Sequence, residues 1–578
     1  MRTLTTVSLA IVLILSVISS CAAADYYVNA GAGSDFNAGT SPDDAWQTIT
    51  HALNTVTGTA ESPATIHIAA GTYSASTNGE SFPLQIRSYV TLRGESPAST
   101  TLDGERQSQV IHCLGTDSVS IEHLGIADGR AEGSELLYEN GGCLCSIGSE
   151  LTVLGCAFSG GRAAELGGCI YISGSKPVLI VDCEITGGGG HDGGGIGASA
   201  AILEVRGCTL SNGGGLYGGS IYARNSELKV SSCVITDGHV FLGGGIALSG
   251  GTCEVVDTQM WGHVVSMAGG GIYASGSDLM ISDCMITRCT VFGWGGAISA
   301  WDSTSVKVSN CIFADNWAID GGALHGRGST FALNCCTLVD NDAGLLGGMY
   351  LDSGSVEAKN CILCGVSTDV EADGDFNISY CCVQGGHEGE GNFDADPLFA
   401  SGPMGDFYLS SIDAGQEANS PCIDAGSVSS DEVGLHRRTT RTDEALDTGQ
   451  LDVGFHYPIP GRWIKCLLNS SEYERGELIT TSLAIQNDGA PFYADLYTCF
   501  VLPDGAIMSF DGAAWDIGIY PWLSDLLLET GFAAGPDIFY TGYIPGNAPL
   551  GPYLFAAALT ENGTMTWITS CEAPFEVN

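Results

Sequence analysis

Residues 218–235, GGSIYARNSELKVSSCVI, contain one complete unit of the pattern that organises the middle of this chain. The unit begins with Gly-Gly-x-Ile, continues with the aliphatic pair Leu228 and Val230, and ends with Cys233 and Ile235. Apolar and polar residues alternate in each part, and a period of two predicts short strands with one buried face. Ser and Asn between the parts favour corners. One unit therefore predicts three short strands separated by turns.

The Gly-Gly-x-Ile motif recurs along the chain with nearly constant spacing. Successive copies are 25 or 26 residues apart, and a period in the twenties indicates a stacked repeat architecture. A helical solenoid would require a 3.6-residue period, which the sequence lacks. Three strands per repeat, stacked in parallel, predict a parallel β-helix. The apolar fourth position of the motif falls at Leu144, Ile170, Ile196, Ile221, Ile246, Ile272, Ile298, Leu324 and Tyr350.

The charge balance limits the partners of this chain. Among its 578 residues, 66 Asp and Glu outnumber 20 Lys and Arg, which gives a formal net charge of −46. Nucleic acids and anionic membrane surfaces need Lys and Arg to neutralise phosphate, so both are excluded as partners. With 44% hydrophobic residues the chain can bury a large core, and its length predicts more than one folding unit.

Residues 1–24 have the composition of an export signal. A basic second residue precedes an apolar run at 7–18, and small residues form a cleavage site before Asp25. This run is shorter than the roughly 20 residues that span a bilayer, and we find no other transmembrane candidate. Alternatively, residues 18–21 resemble a bacterial lipobox, which makes Cys21 a lipidation candidate. We therefore expect a bacterial protein that is either secreted or anchored to the cell surface by lipid.

Most of the 23 cysteines fall on the repeat. Those in one register should point inward and stack into a ladder, and Thr258 occupies the same register. Thiols pack as small hydrophobes, so we expect a structural role with the thiols reduced. Replacing Cys233 by Ser should then cost about 1–3 kcal/mol, because it buries a hydroxyl without a partner. The ladder comprises Cys156, Cys183, Cys208, Cys233, Cys284, Cys311, Cys336 and Cys361.

The N-terminal residues carry a resemblance to a known family. YYVNAGAGSDFNAGTSPDDAWQTITHAL, from Tyr26, followed by TIHIAAGTYS, from Thr65, resembles the cap of bacterial right-handed β-helix proteins with the pectin-lyase-like fold. Gly-Gly-Ala-Ile at 295–298 followed by Phe-Ala-Asp-Asn at 313–316 is similar to the repeat of chlamydial polymorphic outer-membrane proteins. The resemblance implies an all-β fold, a right-handed single-stranded parallel β-helix. Segments that resemble the final coils of the same group lie at 392–399, 420–426 and 451–458.

The repeat and the resemblance together predict the domain organisation. In the cap we predict a helix over 45–56 and a strand over 65–74. Near the C-terminus, alternating segments broken by Asn-Asp-Gly and Pro-Asp-Gly turns predict an immunoglobulin-like β-sandwich. The predicted order is a signal peptide at 1–24, an N-terminal cap and first coils at 25–104, β-helix repeats and terminal coils at 105–457, a linker at 458–462 and the sandwich at 463–578.

Carbohydrate-cleaving enzymes are common on the fold that the resemblance implies, but a fold does not determine a reaction. Lyases of this kind combine clustered carboxylates with a basic residue. Lys229 and Lys307 share an outward position about 14 Å apart, without a carboxylate cluster in their own coils. Asp315 and Asp340 occupy equivalent positions in adjacent coils, about 5 Å apart. They are the catalytic candidates, although such pairs are more often solvated turns.

Residues 369–380 partly resemble a calcium loop. Asp369, Asp373 and Asp375 have the spacing of calcium ligands. The twelfth position is Tyr380 instead of the bidentate Glu that makes such loops tight. We therefore predict no cofactor, and calcium is the one ion that the sequence leaves open.

Outward aromatic residues are the feature that points to a ligand. The position after the motif Ile has a ring in every second coil, at Tyr171, Tyr222 and Tyr273, with small residues between. Two coils span about 9.6 Å, so alternate sugars of an extended β-linked glycan would each meet a tyrosine. The alternative is that the aromatic residues cover one another. Aromatic residues on a neighbouring edge include Tyr217, Phe241, Trp261, Phe292, Trp294 and Trp317.

These observations favour a non-catalytic exported or cell-surface module that binds glycans or partner proteins through one elongated face. A polysaccharide lyase or glycoside hydrolase is the first alternative, and a structural adhesin-like stalk is the second. The lack of a basic residue beside an acid cluster disfavours the lyase. The aromatic row favours a binding module over a stalk. The sequence leaves the ligand and the oligomeric state open.

Overall fold

The computed structural model describes residues 24–133, 139–346, 348–365 and 374–458, together with strands between Arg462 and Val577. Most of the predicted signal peptide with Cys21, the calcium candidates Asp369 and Asp373, and residues 459–461 of the predicted linker lie outside the described residues. The chain forms two compact units. The first contains the residues up to 398 with 420–429 and 450–455, and the second contains 399–419, 430–449 and 456–578.

Each repeat of the first unit forms a coil of short parallel strands, as the sequence predicts. The Ile-x-Ala strand and the aliphatic strand join a nineteen-stranded sheet, and the Cys-x-apolar strand joins a thirteen-stranded sheet, counted over the described residues. Equivalent residues of successive coils pair directly, so that Ile196 lies between Ile170 and Ile221. All three side chains are fully buried. The motif isoleucines therefore form a continuous row inside the stack of coils.

The bounds of these strands follow the repeat. In the described part of the chain, the nineteen-stranded sheet consists of Ala24–Val28, Ala64–Ile68, Leu84–Ile86, Val90–Gly94, Ile111–Leu114, Val119–Glu122, Leu144–Ile147, Leu151–Leu154, Ile170–Val181, Ile196–Arg206, Ile221–Ser231, Ile246–Val256, Ile272–Ser275, Asp278–Ser282, Ile298–Trp301, Ser305–Ser309, Leu324–Asn334, Met349–Lys359 and Gly374–Ser379. Over the same residues the thirteen-stranded sheet consists of Gly71–Tyr73, Thr100–Asp103, Gly125–Ala127, Ala157–Ser159, Glu184–Thr186, Thr209–Ser211, Val234–Thr236, Gln259–Trp261, Met285–Thr287, Ile312–Ala314, Thr337–Val339, Ile362–Cys364 and Cys382–Val383. A short pair is formed by Arg130–Ala131 and Arg162–Ala163.

Residues in the left-handed region turn the chain after the Cys-x-apolar strands. Asp, Asn and Gly suit these corners, because they tolerate a positive φ at little energetic cost. Asp315 and Asp340 have φ angles of 56° and 50°. They follow directly on the paired residues Ala314 and Val339. The two aspartates are therefore corner residues of adjacent coils.

The ninth copy of the motif is displaced by one residue from the predicted register. Leu324 pairs with Met349, and His325 pairs with Tyr350, so the prediction that Tyr350 occupies the motif position is wrong. A slip of one residue moves every side chain of a strand to the other face. The observed register buries Met349 and Leu351, which are both aliphatic, and leaves the tyrosine half-buried.

The cap helix is Ile49–Thr55, which is shorter than the predicted 45–56. The Thr48 hydroxyl oxygen accepts a hydrogen bond from the His51 N–H at 3.0 Å. The Glu80 carboxylate accepts hydrogen bonds from the first two N–H groups of the helix at 2.7 and 3.0 Å. These acceptors satisfy the free N–H groups and set the helix start at residue 49. No helix among the described residues is long and apolar enough to cross a membrane.

The strand predicted over 65–74 is divided into Ala64–Ile68 and Gly71–Tyr73, which belong to different sheets. A corner at residues 69–70 separates them. The buried Tyr73 hydroxyl donates to the Ala69 carbonyl at 3.0 Å and accepts from the Ala30 N–H at 3.2 Å. This tyrosine therefore links the corner to the first strand segment of the cap.

The ladder cysteines lie in the interior as free thiols, stacked from coil to coil. The Cys208 N–H donates to Cys233 Sγ at 3.4 Å. Thr258 continues the row, since its Oγ1 accepts from the Cys233 N–H at 3.4 Å and donates to the Val256 carbonyl at 2.9 Å. At its C-terminal end the row extends beyond the predicted members to Cys381, whose sulfur accepts a hydrogen bond from the Cys361 N–H at 3.3 Å. Neighbouring coils are thus joined through buried polar contacts as well as by apolar packing.

The Thr258 hydroxyl changes the expected effect of replacing Cys233 by Ser. A serine hydroxyl at this position has the same kinds of partner, the Cys208 N–H and the Ser231 carbonyl, which lies 3.2 Å from the present sulfur. The buried hydroxyl is therefore satisfied. We now expect Cys233→Ser to lower the free energy of unfolding by less than about 1 kcal/mol, measured by urea denaturation.

Cys233→Ala is the matched comparison for this serine variant. It leaves the Cys208 N–H without an acceptor, so it should cost about 1–3 kcal/mol. A serine variant as unstable as the alanine variant would show that the hydroxyl finds no partner.

The second unit consists mainly of antiparallel strands. Phe399–Gly402 pairs with Gly405–Leu409. The immunoglobulin-like arrangement predicted for residues 463–578 stays a prediction. Among the described residues, one sheet contains Arg462–Leu468, Leu478–Asn487 and Phe532–Tyr543, and another contains Glu472–Tyr473, Phe492–Val501, Ile507–Phe510, Trp515–Ile517, Pro521–Leu528, Gly551–Glu561 and Trp567–Val577. Short 3-10 turns occur at Pro42–Asp44 and Ile412–Ala414.

Candidate functional site

The tyrosines predicted to form an exposed platform are buried. Tyr171, Tyr222 and Tyr273 each expose between 3% and 7% of their surface, although they occupy the predicted register of every second coil. They pack into a hydrophobic cluster with Leu242 and Ala268. Burial raises the pKa of Tyr273 to about 12. The prediction of an exposed ring platform is therefore wrong at these three positions.

The segment that precedes each Gly-Gly-x-Ile motif covers the buried tyrosines. In these coils the segment forms a strand of its own, and the strands pair in parallel. Alternate side chains point inward, where Val240, Val265, Val291 and Ala318 form a buried cluster. The six strands of this additional sheet, within the described residues, are Gly214–Tyr217, His239–Leu242, Val264–Ala268, Thr290–Val291, Trp317–Asp320 and Asp342–Leu346.

The outward side of the six-stranded sheet carries exposed apolar side chains. Phe241 is 43% exposed and Phe292 is 58% exposed. Trp317 is half-buried, and its ring centroid lies 6.0 Å from that of Phe292. Period-two alternation in segments such as His-Val-Phe-Leu at 239–242 is the signal from which this face was predictable. We call this surface the apolar stripe; it consists of the exposed Leu216, Phe241, Val264 and Phe292 and the half-buried Trp317.

Trp294 does not belong to the apolar stripe and packs instead against the cluster of buried tyrosines. Its ring is half-buried and lies 5.6 Å from Trp301 and 6.0 Å from His325, measured between centroids. His325 Nδ1 is 3.1 Å from the Ser299 hydroxyl, which accepts the Trp301 indole N–H at 3.0 Å. Burial lowers the pKa of His325 to about 4, so the imidazole is neutral near pH 7. Because Ser299 is fully buried, this Ser–His contact is structural rather than open to a substrate.

A groove of about 510 Å³ crosses the outward face of the aliphatic strands. Lys229 and Lys307 share one outward row three coils apart, as predicted, with Glu254 and Met280 between them. Lys229 Nζ is 3.6 Å from the Glu254 carboxylate. Met280 is 50% exposed. The parallel row on the same strands consists of Glu227, Thr252, Asp278 and Ser305.

The catalytic candidates Asp315 and Asp340 are both exposed. The Asp340 carboxylate lies over the corner of the next coil, since its Oδ1 is 2.9 Å from the position that a Cβ would take at Gly365. Within the described residues neither aspartate forms an ion pair. This environment is that of a solvated corner, and the catalytic role of the pair stays a prediction.

Of the three calcium candidates, Asp375 lies among the described residues, and calcium binding by this segment stays a prediction. Asp375 is exposed on the strand Gly374–Ser379. Among the residues that the structure describes, no group of three or more His, Cys, Asp or Glu side chains is arranged to hold a metal ion.

Two family models match the chain. Residues 31–117 match a protein family of unknown function (DUF1565), and residues 109–260 and 262–389 match the right-handed β-helix region. A search of curated proteins found no match.

Three solved structures that resemble this chain do so only distantly. Sporulation control protein Spo0M from Bacillus subtilis is 14% identical over 21% of this chain, with a TM-score of 0.15, and the chain spans half the length of that protein (50%). Pectin methylesterase from carrot is 12% identical over 61% of this chain and 87% of its own, with a TM-score of 0.23. XylC in complex with xylose is 8% identical over 66% and 88%, with a TM-score of 0.29. Similarities at this level carry no argument about function.

The residues that match the β-helix region lie within the repeating coils. The matched segments contain the strands that recur once per repeat and pair in parallel between equivalent positions. Their interior holds the stacked Ile and Cys rows. The described coils therefore form a parallel β-helix with three strands per coil, in agreement with the match of residues 109–260 and 262–389 to the right-handed β-helix region.

Proposed function

We propose that this chain is a non-catalytic module that binds a neutral polysaccharide along the apolar stripe. The observation that carries the proposal is the pair of exposed rings, Phe241 and Phe292, with the half-buried Trp317 beside Phe292. A contiguous exposed apolar surface on a soluble protein marks an interaction site. The signal-like composition of residues 1–24 supports a location outside the cell, with the protein either secreted or held by a lipid.

The spacing of the rings suits an extended glycan. Phe241 and Phe292 are two coils apart, about 9.6 Å at the spacing of paired strands. This is close to the length over which extended β-linked glycans repeat their ring orientation. Alternate sugars of a chain that lies along the stack therefore each meet a phenylalanine ring.

The charge of the stripe favours a neutral ligand. None of its five side chains is charged, although the chain as a whole has a formal charge of −46. A second copy of this chain is disfavoured as the occupant, because two such charges repel each other. An acidic polymer is disfavoured for the same reason, whereas a neutral polymer meets no repulsion.

Removing two rings from the stripe should weaken polysaccharide binding. A stacking contact contributes about 0.5–1.5 kcal/mol, by analogy with aromatic pairs. We therefore expect Phe241→Ser/Phe292→Ser to raise the dissociation constant about 5- to 150-fold. Affinity electrophoresis against a panel of neutral polysaccharides measures this effect.

Phe36→Ser is the matched control for the double variant. Phe36 is fully exposed in the cap, at 101%, so the control removes an exposed phenylalanine without touching the stripe. Its retardation should equal that of the wild type. The proposal fails if no neutral polysaccharide retards the wild type, or if the control and the double variant behave alike.

The same panel distinguishes binding from catalysis. Each polysaccharide is incubated with the protein and calcium, and the products are assayed for new reducing ends and unsaturated sugars. The proposal predicts binding without product. Release of product would instead favour a polysaccharide lyase or glycoside hydrolase, and neither binding nor cleavage would favour a structural stalk.

A further inference from the structure

The groove on the aliphatic strands has the size and lining of a ligand site. Its volume of about 510 Å³ lies within the range of about 300–1,000 Å³ that is typical of such sites. Hydroxyl groups from Thr252 and Ser305, the apolar Met280, and carboxylates from Glu227 and Asp278 all line it. This mixture suits a ligand that has hydroxyl groups, an apolar ring face and positive charge.

The ion pairs in the groove leave two carboxylates unmatched. Lys229 and Glu254 lie 3.6 Å apart and neutralise each other. Within the described residues, Glu227 and Asp278 form no ion pair, and both are exposed. Lys307 also lacks an ion pair there and lies at one end of the groove. A cationic group is therefore favoured beside Glu227 and Asp278, both by these carboxylates and by the net charge of −46.

The two carboxylates have a spacing that selects a repeating ligand. Glu227 pairs with Thr252, which pairs with Asp278, so the two acids occupy the same outward position two coils apart. This places them about 9.6 Å apart along the stack, again close to the repeat of an extended β-linked glycan. Thr252 leaves room between them for the intervening sugar.

We propose that this groove binds a linear β-linked glycan that carries amino groups, at a site separate from the apolar stripe. Amino groups on alternate sugars pair with Glu227 and Asp278, and the ring beside Asp278 packs on Met280, which lies on the same strand. Lys307 limits the site at one end, because its ammonium group repels a further amino sugar. The proposal goes beyond neutral polysaccharide binding, since it assigns a second ligand class to a different sheet face.

The test uses a hexamer of β-1,4-linked glucosamine and its fully N-acetylated counterpart as probes. Isothermal titration calorimetry is run at about 0.15 M salt, where exposed charges are screened beyond about 8 Å. We expect the amino hexamer to bind at least tenfold more tightly than the N-acetylated one. Glu227→Gln/Asp278→Asn should weaken binding of the amino hexamer at least tenfold, because both carboxylates become neutral amides of nearly the same shape.

A second double variant controls for unspecific attraction to an acidic protein. Glu357→Gln/Asp375→Asn removes two exposed carboxylates from the same two outward rows, beyond the groove. It should bind the amino hexamer within twofold of the wild type. Equal loss in both double variants, or equal affinity for the two hexamers, would overturn the proposal.

The double variant that removes two rings from the apolar stripe distinguishes a failure of this proposal from a failure of the proposed function. Phe241→Ser/Phe292→Ser should bind the amino hexamer as the wild type does, since Phe241 lies in the six-stranded sheet, Phe292 directly follows one of its strands, and neither lines the groove. Loss of amino-hexamer binding in that variant would place the ligand on the stripe and contradict a site in the groove.

Discussion

Replacing Gly213 by Ala should lower the free energy of unfolding by about 3 kcal/mol, the upper end of the usual range for overpacking. A Cβ at this position would overlap the carbonyl oxygen of Gly219. That carbonyl is part of a backbone held in place by neighbouring coils, since the Gly219 N–H donates to the Gly243 carbonyl at 3.1 Å. The overlap therefore cannot be relieved by rotating a side chain.

Gly214→Ala is the matched control, one residue along the same chain. A Cβ at Gly214 meets no atom within 4 Å, so alanine there should be neutral or stabilising by up to about 1 kcal/mol through the unfolded state. Urea denaturation of the two variants measures the difference. Similar stabilities for both variants would contradict the close approach of Gly213 to the next segment.

Acid should destabilise the folded protein between about pH 6.5 and pH 4. His263 is completely buried, and burial lowers its pKa from 6.5 to about 4, against a smaller opposing effect of the Asp237 carboxylate. Burial also lowers the pKa values of His112 and His325 to about 4. As the pH falls, the unfolded chain takes up protons before the folded one, so the equilibrium shifts towards unfolding. The stabilisation is complete above about pH 6.5, and His263 alone should lose about 3 kcal/mol of it by pH 4.

His263→Asn isolates the contribution of one imidazole. His263 Nδ1 accepts the Gly238 N–H at 3.0 Å, and Asn316 Oδ1 accepts the Cys289 N–H at 3.0 Å further along the stack. An asparagine at 263 can therefore keep the acceptor without titrating. Urea denaturation across this pH range should give a profile that is flatter than that of the wild type by about 3 kcal/mol. Parallel profiles would show that His263 does not titrate with unfolding.

The coil itself was predictable from local patterns. Regular motif spacing and alternation with a period of two place each apolar residue on one side of a strand, because successive side chains point to opposite faces. The buried Ile row and the stacking of Cys208 on Cys233 follow from this alternation. The corner positions of Asp315 and Asp340 also follow, since Asp at a strand end favours a turn.

The candidate site was predictable only in part. Tyr222 and Phe241 both point away from the main core, and the sequence pattern does not distinguish them. In the structure, the segment before each motif forms an additional strand, which covers Tyr222 and exposes Phe241. Exposure depends on what packs over a residue, and that cover comes from strands of several coils.

Sequence by itself determined the repeating coil, its parallel stacking and the inward thiol row, because these features depend on spacing and on the side of a strand. Tertiary structure decided the one-residue slip that buries Met349 in place of Tyr350, the satisfied hydroxyl of Thr258, and the groove between Lys229 and Lys307. Each of these depends on at least one contact between residues about 25 positions or more apart along the chain. A pattern within one repeat specifies which way a side chain points, whereas the adjacent coils specify what it meets.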